Sequence, residues 1–114
     1  MELMVTASGS FSSSHQVLGH RKCGQLHGHR WHVAVTIRNG MDPATGFAPN
    51  GADLMDAVQE LCAELDREDL ATMLPASPPT PEGLAYAFHE RLALHFKIEQ
   101  IEVSMDDELM VTLR

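Results

Sequence analysis

An α+β fold built on an antiparallel sheet is what this chain predicts, with the order strand, strand, helix, helix, strand, strand (ββααββ). Three observations carry it. Two runs, Leu3 to His15 and His27 to Arg38, alternate apolar and polar residues with the period of a half-buried strand. Two later stretches, from Ala52 and from Thr80, repeat apolar residues at helical spacing. The last part, Ile98 to Arg114, alternates again on both sides of an acidic turn at Asp106-Asp107.

In the first run Leu3, Val5, Ala7, Gly9, Phe11, Ser13 and His15 share one parity, so His15 ends the row that faces the core. The second run behaves alike: His27, His29, Trp31, Val33, Val35 and Ile37 point one way, and Asn39-Gly40 ends it. Between the runs, Gln16 to Leu26 is long enough for a functional loop. The helix expected over Ala52 to about Asp66 shows Leu54, Val58, Leu61 and Leu65 on one face, with Cys62 beside that stripe as a small buried side chain. The stretch Arg67 to Gly83 reads as a linker between elements rather than an element itself, because of its four prolines. Thr80 caps a second helix with Pro81 in its first turn, and Leu84, Ala85, Phe88, Leu92 and Phe96 form its apolar face. His89 and His95 belong to its surface.

With 114 residues, 44% of them apolar and 21% charged, the chain is expected to form a single domain (1–114). Its formal charge of -8 argues against nucleic acid or an anionic membrane as partner. No apolar run approaches the roughly 18 residues of a membrane span, and the first residues lack the pattern of a secretory signal, so a soluble cytoplasmic protein is expected. Cys23 and Cys62 sit in different contexts and are not read as a disulfide.

The chemistry lies at the ends of the first two strands. His27 and His29 at i and i+2, with His15 from the strand before, can form a three-histidine zinc site whose fourth position stays open for substrate. Cys23, four residues before His27, is either a fourth ligand or a reactive thiol, its thiolate favoured by Arg21, Lys22 and a nearby dication. Spacing alone leaves both open.

Phe11-Ser-Ser-Ser-His15, Cys23-Gly-Gln-Leu-His27-Gly-His29-Arg-Trp31, Leu65-Asp66 and Pro79-Thr-Pro-Glu-Gly-Leu-Ala85 together resemble the 6-pyruvoyl-tetrahydropterin synthase and 6-carboxy-tetrahydropterin synthase (QueD) family. The resemblance covers nearly the whole chain. It implies the T-fold, two helices on one face of an antiparallel sheet, closed into a barrel by oligomerisation as a trimer or hexamer with active sites at subunit interfaces. It further implies Zn2+ on His15, His27 and His29, Cys23 as general base, and a pterin substrate such as 7,8-dihydroneopterin triphosphate, with Thr80 and Glu82 on the substrate-binding side.

The resemblance fails at particular positions. The family's relay is an Asp-His pair, whereas here Asp66 is followed by Arg67, which cannot shuttle protons near neutral pH. His20, three residues from Cys23, is the candidate substitute. Met105 stands where the family places the glutamate that grips the pterin ring. Asp106 is its candidate replacement, although strand parity turns it to the other side unless a bulge intervenes. Asn50-Gly51 replaces the Asp-Phe usual before the first helix. Three readings follow: a lyase that eliminates triphosphate, a relative with another pterin substrate and aldol-type cleavage, or a zinc-binding module without turnover.

Overall fold

Alternation becomes strand in both N-terminal runs. A computed structural model describes residues 2–16 and 27–114. In it, β1 (Leu3–His15) and β2 (His27–Asn39) pair antiparallel over their full lengths, with Phe11 opposite Trp31, Ser13 opposite His29 and His15 opposite His27. Odd positions face odd positions, so the two apolar rows merge. Phe11, Trp31, Val33 and Val35 are essentially buried, and full burial of one such side chain contributes about 1.5–3 kcal/mol.

α1 (Gly51–Leu65) lies on β1 and buries Leu54, Val58, Leu61, Cys62 and Leu65. It approaches most closely at Gly9, where a β-carbon would stand 2.9 Å from the Cys62 sulfur. That glycine is what lets helix and strand meet. Asp66, expected to close the helix, lies just past its end in extended conformation. Its carboxylate accepts the Ser12 N–H at 2.8 Å.

The linker expectation needs correction. Leu70–Met73 forms a short helix, α2, with Leu70 fully buried. Its four residues precede the first of the prolines, Pro75, so none of them lacks the N–H a helical turn uses. α3 (Pro81–Leu92) starts as expected, with the Gly83 N–H donating to Thr80 Oγ1 at 3.0 Å. It stops short of Phe96. That residue packs on the core from the following turn, its N–H donating to the Leu92 carbonyl at 2.9 Å.

β3 (Ile98–Met105) and β4 (Leu109–Leu113) complete a sheet in the order β1-β2-β3-β4, all neighbours antiparallel. α3 covers β3 and β4 on the face that α1 occupies over β1. The opposite face carries Ser8, Ser10, His32, Glu102 and Ser104. At one end of β1 the outer edge is closed: Arg67 donates its N–H to the Ser12 carbonyl at 2.6 Å and Ser14 donates to Glu68 at 3.1 Å. Even-numbered residues of β1 therefore direct their backbone groups outward. From Met4 to Ser10 the same groups lie, among the described residues, along an open edge, a template for another strand. Among the described residues, no helix is long and apolar enough to cross a membrane.

Candidate metal centre

The strand register delivers His15, His27 and His29 to one end of the helix-covered face. Ring centroids are 4.5 Å apart for His15 and His27, 4.7 Å for His15 and His29, and 4.5 Å for His27 and His29. One nitrogen from each ring lies within 4.8 Å of the others. Trp31 forms the floor, its ring edge-on to His15 and His29. Its indole N–H donates to the Ser13 carbonyl at 3.2 Å, which ties that floor to β1.

Outer contacts decide which nitrogens look inward. His15 Nδ1 lies 2.7 Å from the Pro79 carbonyl, which can only accept, so Nδ1 carries the proton and Nε2 the lone pair. His29 Nδ1 meets the Asp106 carboxylate in the same way. His29 Nε2 is then a buried nitrogen without a hydrogen-bond partner among the described residues, while His15 Nε2 and His27 Nε2 face each other at 2.9 Å. Converging imidazole nitrogens held by outer acceptors are the donor set of a divalent metal. The residues fit one.

Electrostatics favour the ligating form. Burial pushes the His15 pKa below its ordinary value, partly opposed by the Pro79 contact, so the ring is neutral at pH 7. The Arg30 backbone N–H and then His29 hold Asp106 below the usual carboxylate range. Burial pushes the Cys62 thiol up to about 11, leaving it an inert core side chain.

The other expected site residues separate into groups. Arg67 lines a cleft of about 420 Å³ together with His29, Arg30, Glu68 and Asp106. It does so from a left-handed backbone, with φ of 63°. Asp66, expected in the relay, has one carboxylate oxygen accepting from β1. Thr80 uses its hydroxyl oxygen as the α3 cap, and Glu82 is exposed in that helix's first turn. Met105 packs against the core opposite Trp31 on β2. Cys23 and His20 lie outside the described residues.

One expectation needs revision, and one contact was missed. Strand parity sent Asp106 away from the histidines, but the residue sits in a left-handed turn, φ 54°, and its carboxylate reaches His29. Pro79 was legible only as part of a motif; a backbone carbonyl has no side-chain signature, so its contact with His15 had no signal to find.

Comparison with known proteins agrees with this geometry. The sequence pattern of the 6-pyruvoyl tetrahydropterin synthase family matches residues 4–114. A protein of Archaeoglobus fulgidus, named as a candidate 6-carboxy-5,6,7,8-tetrahydropterin synthase, is 29% identical over 114 residues, covering 99% of this chain and 96% of its own. A similarly named protein of Methanocaldococcus jannaschii is 31% identical over 103 residues, 90% of this chain and 59% of its own. Among solved structures, the Caenorhabditis elegans 6-pyruvoyl tetrahydropterin synthase superposes with a TM-score of 0.85 at 18% identity, covering 100% of this chain and 96% of that one. The Plasmodium falciparum enzyme gives 0.68 at 16%, covering 98% and 96%. The sheet with helices on one face is thus the T-fold, and its open edges support oligomer formation. The chain belongs to the 6-pyruvoyl tetrahydropterin synthase family.

Proposed function

We propose that the protein is a zinc-dependent lyase acting on 7,8-dihydroneopterin triphosphate or a closely related pterin. The observation that carries this reading is the convergence of His15, His27 and His29, with His29 Nε2 buried and unpartnered among the described residues. His15, His27 and His29 would hold zinc and leave it accessible to a substrate oxygen. Bound there, zinc supplies the Lewis acidity that makes the carbon next to the side-chain hydroxyls easier to deprotonate.

Cys23, as thiolate, takes the proton from that carbon. The electron pair left behind forms a carbon-carbon double bond as the bond to the triphosphate oxygen breaks, so the step is redox-neutral. Arg67, lining the cleft beside His29, offers positive charge to the departing phosphate. It does not replace a histidine as acid and base, a role left to His20. Thr80 and Glu82, at the start of α3, are the residues assigned to substrate binding. The working unit is a trimer or hexamer that closes the open sheet into a barrel, with active sites between subunits.

A second reading, another pterin substrate cleaved in aldol fashion, is favoured by Met105. A thioether packed beside Trp31 cannot accept the paired N–H groups of a pterin ring as a glutamate would. Metal analysis of the purified protein, with product chromatography after incubation with dihydroneopterin triphosphate and with dihydroneopterin, separates the two. Triphosphate release that vanishes in Cys23→Ala supports the first reading. Release that survives the substitution sinks it, and cleavage of dihydroneopterin without triphosphate loss supports the second.

A further inference from the structure

The turn between β3 and β4 runs from Met105 to Glu108, closed by the Glu108 N–H donating to the Met105 carbonyl at 3.1 Å. Both central residues are left-handed, with φ of 54° at Asp106 and 58° at Asp107. Glycine and asparagine suit such positions better than aspartate does. Yet Asp106 is held there by three contacts to β2. Its own N–H donates to the Arg30 carbonyl at 2.7 Å, one carboxylate oxygen accepts the Arg30 N–H at 2.8 Å, and the other accepts from His29 Nδ1. Asp107, next in the turn, reaches toward His32 on β2, at 3.6 Å.

We propose that Asp106 is a positioning residue for the metal centre: its carboxylate fixes the His29 ring and keeps the proton on Nδ1, so that Nε2 faces His15 and His27. The left-handed backbone is what makes this reach possible, because an extended residue after Met105 would point to the opposite face. Each carboxylate oxygen is already engaged within the protein, which favours positioning over gripping a pterin ring. Carboxylates behind ligating histidines orient the ring and raise its basicity, and their removal weakens metal binding by about 10- to 100-fold. The inference rests on the metal-centre reading above.

The test is a zinc titration of the full chain against a competing chromophoric chelator, with absorption spectra of the cobalt-substituted protein. Asp106→Gly should weaken zinc binding about 10- to 100-fold and alter the cobalt bands. The thermal midpoint of the metal-free chain should change little, since relief of the positive φ offsets part of the lost carboxylate contacts to Arg30 and His29. Asp107→Gly, the same change one residue along, should leave zinc affinity as it was. Unchanged affinity in Asp106→Gly beside tight binding in the unsubstituted protein overturns this inference alone. Equal weakening in Asp107→Gly also overturns it, because the effect would then belong to the turn. Absence of zinc binding in the unsubstituted protein overturns the metal-centre reading and this inference with it.

Discussion

Two stretches of the same sheet face, built by the same two strands in the same register, come out chemically opposite. Around Ala7 opposite Val35 and Gly9 opposite Val33, the face meets Leu54 and Val58 of α1 and closes as a dry core. Six residues further along β1, Ser13 opposite His29 and His15 opposite His27 meet the Pro79 carbonyl and the Asp106 carboxylate instead. Parity is identical in both stretches. The second layer decides whether an inward side chain becomes core or site, since a buried polar group is tolerated only where a partner answers it.

The sharpest way to separate the two stretches is His27→Ala, which should abolish stoichiometric zinc binding, measured by metal analysis, while leaving the circular dichroism of the fold intact. Loss of the fold together with the metal would mean that the histidines serve the core. The converse change is Phe88→Ala. Phe88 is 1% exposed on the buried face of α3, so its truncation should cost about 3–5 kcal/mol in denaturant unfolding without changing the zinc affinity of the folded fraction.

Thr80→Ala probes the seam between the stretches. The lost cap on α3 should cost about 1 kcal/mol. Because Pro79 immediately precedes Thr80 and its carbonyl orients His15, zinc affinity should fall as well, by a smaller factor than in Asp106→Gly. An unchanged affinity would show that the Pro79 carbonyl keeps its place without the cap.

The smallest effect is that of pH. The His15 pKa is lowered in the folded chain from an ordinary value of 6.5, so below that pH the unfolded chain takes up a proton that the folded chain resists. Stability is then full above pH 6.5 and declines as pH falls toward the folded pKa. Thermal midpoints of the metal-free protein at pH 7.5 and 5.5 should show this decline, and His15→Gln should flatten it. A slope unchanged by that substitution would assign the pH dependence to another group.

Much of this was readable from the residues. Period two in Leu3 to His15 and His27 to Arg38 placed three imidazoles on one face, because side-chain direction in a strand follows from backbone geometry alone. Helical spacing located α1 and α3, and the acidic turn located the last hairpin. Short-range rules failed where contacts are long-range. Leu70 is fully buried at the start of a short helix, although its surroundings read as linker. Asp66 accepts from Ser12, 54 residues away in sequence, a contact that no local pattern signals.

Periodicity within a few residues was enough to locate the strands, the two main helices and the three inward histidines that could hold a metal. Tertiary structure decided what stands behind those histidines. A backbone carbonyl at Pro79 leaves no trace in residue chemistry, and the direction of the Asp106 carboxylate depends on a positive φ that residue type permits without requiring. Only when β1, β2, the α3 entry and the β3–β4 turn come together do His15 and His29 acquire the partners that turn their Nε2 atoms toward His27.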